Sequence, residues 1–213
     1  MQRMNTLPLP RPSFKAQMHQ AREDAIVEAA SRLLGEKGFE TMTVDEVAAH
    51  AGIAKASLYK HFAGKDDLCA AAMVHVVERL QRVMDGLPAE LTALQRLQAL
   101  LRWSLHRQLT EEVPLLPGRS SALAQALRDC DAYQAAMRQV HVRIRGWVVQ
   151  GQAEGALRRD LPPEVILCAL LARSADPMLY MLRDLGHADE RIIDWVMDIC
   201  LSGLTPGPVA LAG

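Results

Sequence analysis

The chain has 213 residues, half of them hydrophobic, 23% charged and 4% aromatic, with 24 Lys and Arg against 25 Asp and Glu. Apolar runs such as Ala70–Val77 and Val165–Leu171 fall short of the roughly 20 residues of a bilayer span, and the first 16 residues carry prolines where a secretion signal needs an apolar core. Four dispersed cysteines form no CxxC pair, so neither a zinc cage nor a disulfide framework is expected, and the reading is a cytosolic protein. Few strand formers and abundant Ala, Leu, Arg and Glu make the expected fold class all-α.

Residues 1–16, with Pro8, Pro10 and Pro12, read as a flexible arm. Ile26, Ala30, Leu33, Leu34 and Lys37 then follow the spacing of an amphipathic helix that Gly38 is placed to stop in a left-handed conformation. Thr43-Val44-Asp45-Glu46 has the form of a capping box, so a second helix starts there. It is short, because Ala51-Gly52-Ile53 interrupts it, and a third segment runs from Ala54 to His61. Two short helices joined through a glycine turn make a helix-turn-helix candidate.

Charge singles out the same stretch. All five lysines fall within the first 65 residues, and from Val47 to Lys65 there are three lysines (Lys55, Lys60, Lys65), two histidines and no carboxylate. Such a run is an electrostatic footprint for nucleic acid. With Leu58 facing the core, Ala56 and Lys60 lie at about 200° from it and Ser57 and Tyr59 at about 100° on either side. That outward face offers a methyl, a hydroxyl, a phenol and an ammonium, which suit a major groove. Lys65 opens a fourth helix, running to about Asp85, whose first turn favours a phosphate nearby.

The run from Ala25 to Leu68 contains Ala29-Ala30, Leu33-Leu34, Gly38-Phe39, Thr43-Val44, Glu46-Val47-Ala48, Ala51-Gly52-Ile53, Leu58-Tyr59-Lys60-His61-Phe62 and Lys65-Asp66-Asp67-Leu68. It closely resembles the DNA-binding domain of the tetracycline-repressor (TetR) family. The resemblance implies a three-helix DNA-binding head, a longer helical regulatory body, a homodimer, and repression relieved by a small molecule. It also implies Thr43 on a phosphate, Ala54–His61 as the recognition helix, and Tyr59, Lys60 or His61, and Lys65 on backbone phosphates. Ala54 departs from the pattern, standing where the family often has a Ser or Thr cap. The expected DNA-binding set is therefore Thr43, Lys55, Ala56, Ser57, Tyr59, Lys60, His61 and Lys65.

Beyond the head, Leu91, Leu94, Leu97, Leu101 and Leu105 mark one buried stripe, and Tyr133, Met137, Val140, Ile144, Trp147, Val148 and Gly151 another. Glu111–Gly118 reads as the loop between them. Pro162-Pro163 opens a helix from Glu164 to about Arg183 that Pro177 should kink. A last helix runs from Ala188 to about Leu204, and its apolar residues Ile192, Trp195, Val196 and Ile199 are the candidates for the dimer interface that the resemblance implies. Candidate pocket residues are Trp103, His106, Arg107, Met137, His141 and Met178, a mixture of apolar walls and polar groups.

The expected organisation is an arm over 1–16, a helix-turn-helix domain over 17–65 and a ligand-binding and dimerisation domain over 66–213. GxSxG, HExxH, GxGxxG and GxxxxGK[ST] are all absent, so an enzyme is not expected. Neither is a cofactor or a metal, the nearest ligand-like spacing being Asp184, His187 and Glu190. The expected function is a ligand-responsive transcriptional regulator, a repressor, with double-stranded operator DNA, a small-molecule effector and a second copy of itself as partners, and no membrane. The alternative is a helical protein-interaction module, or an enzyme without a familiar motif, whose basic helix binds something other than DNA.

Overall fold

The computed structural model describes residues 13–110, 122–173 and 176–206, and these form ten α-helices with no strand. The first, α1 (Phe14–Thr41), begins within the stretch expected to be an arm; residues 1–12 lie outside the described residues. Ile26, Ala30, Leu33 and Leu34 form its apolar stripe, each at most 2% exposed. The regular helix breaks at Gly38, whose backbone (φ 75, ψ 168) has a positive φ but an extended ψ. That region is open essentially to glycine alone. Gly38→Ala should therefore destabilise the protein by about 1–3 kcal/mol, lowering the melting temperature by several degrees in a calorimetric scan; an unchanged melt would mean that the break relaxes without cost.

The expected capping box opens α2 (Val44–His50). Thr43 accepts from the Glu46 backbone N–H at 3.3 Å while the Glu46 carboxylate accepts from the Thr43 N–H at 3.0 Å. After the turn at Gly52, α3 (Lys55–Leu58) is only four residues long, shorter than the Ala54–His61 segment expected. Ala54 supplies no side-chain cap, and the turn is carried on by backbone bonds from Lys60 to Ser57, His61 to Leu58 and Phe62 to Leu58. Leu58 is fully buried and Phe62 nearly so. Two apolar anchors one turn apart thus hold a segment that its local hydrogen bonding alone would leave marginal.

The fourth helix, α4 (Lys65–Asp85), runs without interruption from head to body, and α1 packs along it more extensively than any other helix pair among the described residues. The body adds α5 (Ala93–Leu109), α6 (Ala122–Asp129), α7 (Asp131–Ala153), α8 (Pro163–Arg173), α9 (Met178–Asp184) and α10 (Asp189–Ser202). A second capping box, Thr92 with Gln95, opens α5. Its inward stripe is Leu97, Leu101 and Leu105, whereas Leu91 and Leu94 are only half-buried. The loop expected over 111–118 lies outside the described residues.

Central to the body is α7, which packs against α4, α5, α6 and α8 through Tyr133, Val140, Ile144 and Val148. Its Gly151 is buried, and a Cβ there would meet the Leu157 side chain at 2.9 Å and Ala93 at 3.7 Å. The absent side chain lets the segment after α7 fold back onto the end of α7, beside the start of α5. Pro177 does more than the expected kink. Separate helices α8 and α9 flank it, and Pro177 is the N-cap residue of α9. Next to it, Asp176 is buried, pairs with Arg173 and accepts from the Met178 N–H at 3.0 Å.

Within residues 163–184 an 18-residue window reaches a mean hydropathy of 1.5, long and apolar enough by composition to cross a membrane, a property that single apolar runs did not reveal. The Arg173–Asp176 pair and Pro177 interrupt that stretch, and Ile166, Leu170 and Leu179 are buried in the protein's own core.

Candidate nucleic-acid interface and body cavity

With Leu58 turned inward, α3 and the turn after it present Lys55, Ala56, Tyr59 and Lys60 to solvent, with Ser57 half-buried at their flank. Tyr59 is 48% exposed, high for so large a ring, and within the described residues Lys60 makes no ion pair. Lys55 is engaged: its ammonium lies 2.8 Å from Asp45, a hydrogen bond that raises its pKa. Both groups are solvent-exposed, so a phosphate can displace Asp45 at small cost.

Thr43 is exposed at the start of α2, but its hydroxyl donates to Glu46 at 3.0 Å and must release that carboxylate before serving a phosphate. Glu46 in turn accepts from Lys37 at 2.6 Å. That bond, then those from Thr43, holds its carboxyl down to about 2. The box therefore stays ionised, and Lys37 on α1 clamps α2 at a point that sequence spacing did not reveal.

Two expected phosphate contacts are differently occupied. Lys65 donates to the Glu40 carbonyl at 3.3 Å and sits 4.6 Å over the Phe39 ring, so its ammonium closes the end of α1. His61 is a correction. Its side chain is only 5% exposed, stacked on His19 with ring centroids 4.3 Å apart, because the first turns of α1 cover it. It does not share the outward face of Tyr59 and Lys60.

In the body, an apolar cavity of about 50 Å³ is lined by Leu80, Leu97, Leu100, Leu101, Ser104 and Ile144, with Leu170 and Leu171. None of the six expected pocket residues lines it. Met137 and Met178 pack against the hydrophobic core. His106 points to Glu190 at 3.9 Å, and Arg107 lies 5.9 Å from the Trp103 ring. Burial, and then the nearby Arg79, lowers the Arg107 pKa. His141 is half-buried. The cavity is built instead from leucines of α4, α5 and α8 whose helical spacing is the same as that of ordinary core, which is why spacing did not single them out.

The expected interface also divides. Ile192 is fully buried and Val196 nearly so, because they form the face of α10 packed on α5 and the rest of the body. Trp195 and Ile199 remain outward, at 36% and 56% exposure, with Val165 of α8 exposed at 48%. The Trp195 ring is flanked by Arg191 at 5.2 Å and meets the edge of His187 at 5.1 Å. At the surface Arg102 ties α5 to α10 through Glu190 and Asp194.

Comparison with known proteins bears on the head and on the whole fold separately. Residues 26–72 match the family model described as "Bacterial regulatory proteins, tetR family". The chain is 33% identical over 72 residues to the HTH-type transcriptional regulator BetI of Brucella canis, covering 34% of this chain and 36% of that protein. It is 31% identical over 91 residues to BetI of Rhizobium meliloti, covering 42% and 45%. The matches therefore span less than half the length of these relatives.

Among solved structures, the fatty acid degradation regulator FadR from Bacillus halodurans superposes with a TM-score of 0.63 at 14% identity, covering 85% of this chain and 95% of that one. The ketosteroid transcriptional regulator KstR2 of Mycobacterium tuberculosis gives 0.55 at 21% identity, covering 87% and 96%. At such identities the likeness is one of fold.

Proposed function

From a chain whose residues 26–72 carry the tetR-family helix-turn-helix, we propose a ligand-responsive transcriptional repressor that binds a palindromic operator as a homodimer. The supporting observation is the outward set Ala56, Ser57, Tyr59 and Lys60, held by the buried Leu58. Lys60 and Tyr59 engage the duplex, Ala56 and Ser57 approach base edges, and Lys55 adds a phosphate contact once Asp45 is displaced. Two copies related by a twofold axis set these faces about 34–36 Å apart, on successive major grooves. The head ends near Lys65 and the body follows from residue 66, in the cytoplasm.

In this reading the effector is a small apolar molecule that enlarges the cavity between α4, α5, α7 and α8. Its entry moves α4, and α4 carries the head. An effector that prefers the body in a state with the wrong head separation lowers operator affinity by the factor by which operator lowers effector affinity.

Selection of binding sites from random duplex DNA by the purified protein tests the reading. A palindromic consensus is expected, with affinity falling as salt rises by a log–log slope of about −0.9 per phosphate neutralised. Absence of any enriched sequence at low salt would overturn it.

A further inference from the structure

The first turns of α1 do more than cover His61. His19 and Glu23 stand one turn apart on that helix, and with His61 they form a group of three donors that all lie within 4.8 Å of one another. Among the described residues it is the one group of three His, Cys, Asp or Glu side chains that closes to this distance. Glu23 Oε2 lies 3.7 Å from His19 Nε2 and 3.7 Å from His61 Nδ1. The last of these atoms is the second observation. The His61 side chain is 95% buried by exposure, its Nδ1 has no hydrogen-bond partner, and it faces the carboxylate. An unpaired nitrogen in such a place is costly unless something engages it.

We infer that His19, Glu23 and His61 bind one divalent transition-metal ion of the zinc class, and that the ion staples the start of α1 to the turn that follows α3. Two imidazoles and a carboxylate are the donor set of three-ligand zinc sites whose fourth position is taken by water. Donors at about 2.0–2.1 Å from a tetrahedral ion lie about 3.4 Å apart, so the two 3.7 Å separations need little closure. His19 must rotate, because its ring stacks nearly parallel to that of His61, with 20° between the planes, and in-plane lone pairs of parallel rings do not converge. It is free to do so, its side chain being 59% exposed. His61, the buried member, stays in place. Sequence spacing gave no sign of this group because its third ligand comes from a different element.

The site stands whether or not the chain binds DNA, and its test needs no operator. The full-length protein, stripped with chelator, is titrated with Co²⁺ and with Zn²⁺ in competition. One Co²⁺ per chain with visible absorption of nitrogen and oxygen ligation is expected, displaced by Zn²⁺. His19→Ala, at an exposed position that leaves the fold intact by circular dichroism, should weaken binding at least about 100-fold, since loss of even an outer-shell partner costs 10–100-fold, and Glu23→Gln should act likewise. In hydrogen exchange, Zn²⁺ should protect the amides of Tyr59 to Phe62 in the native protein and not in His19→Ala. Absence of a one-to-one complex, retention of binding by His19→Ala, or unchanged protection of that turn would each overturn the inference.

Discussion

Replacing Tyr59 and Lys60 together by alanine should lower affinity for the selected operator about 100-fold while leaving the thermal melt in place. A hydrogen bond to a charged group such as a phosphate is worth about 1.5–3 kcal/mol, and about 1.4 kcal/mol is tenfold, so the loss of two contacts reaches that size. Stability is spared because both residues project into solvent. Lys60→Ala alone should make the salt slope shallower by about 1, as expected for one phosphate contact. Lys55→Ala should do less, because Asp45 already offsets that charge in the free protein. Lys65→Ala should act through the fold instead, by unsealing the Glu40 carbonyl and uncovering the Phe39 ring. Gel-shift titrations across a salt series distinguish the three. An unchanged operator affinity in the double variant would remove this face from the interface.

The second large effect concerns assembly. Ile199→Arg should convert the proposed dimer into monomers in light scattering and reduce operator affinity by about 10²–10⁴-fold, the avidity that linking two binding units supplies. Ile199 is the better target on α10 because it is the more exposed of the outward pair, whereas Arg191 and His187 already cover part of the Trp195 ring. Ile192 and Val196 would be misleading targets. They belong to the monomer's own core, and truncating either would unfold the body by about 1–5 kcal/mol rather than report on a partner. If Ile199→Arg stays dimeric and folded, the twofold contact lies on another face.

What the amino-acid order made legible follows a physical divide. Local signals were decisive for the Thr43 box and the span of α4; Gly38 does break the first helix, but with an extended ψ rather than the expected left-handed conformation, and Leu58 is buried as expected through packing beyond its own turn. Signals that depend on which of two apolar faces meets which neighbour were not decisive. On α10, Ile192 and Ile199 are alike in sequence, and only the packing of α5 decides that one is buried and the other is not. The break between α6 and α7 at Cys130 carries no glycine or proline to announce it, yet the backbone there is extended (φ −89, ψ 101). His61 misled for the same reason. Its ring is covered by His19 and Glu23, which lie in a part of α1 that carries no apolar periodicity.

The continuity of α4 has a consequence for how such a chain can change. The segment shared with the family model ends at residue 72, inside this helix rather than at a linker. Insertion of a single residue beyond that point would turn the head by about 100° about the helix axis and advance it by about 1.5 Å, taking α1, α2 and α3 out of register with the body. Seven inserted residues would bring the phase back to within about 20° but lengthen the helix by about 10 Å. Length variation in this stretch is thus quantised by helical phase, so that exchange of heads between bodies succeeds only where the junction conserves residue count.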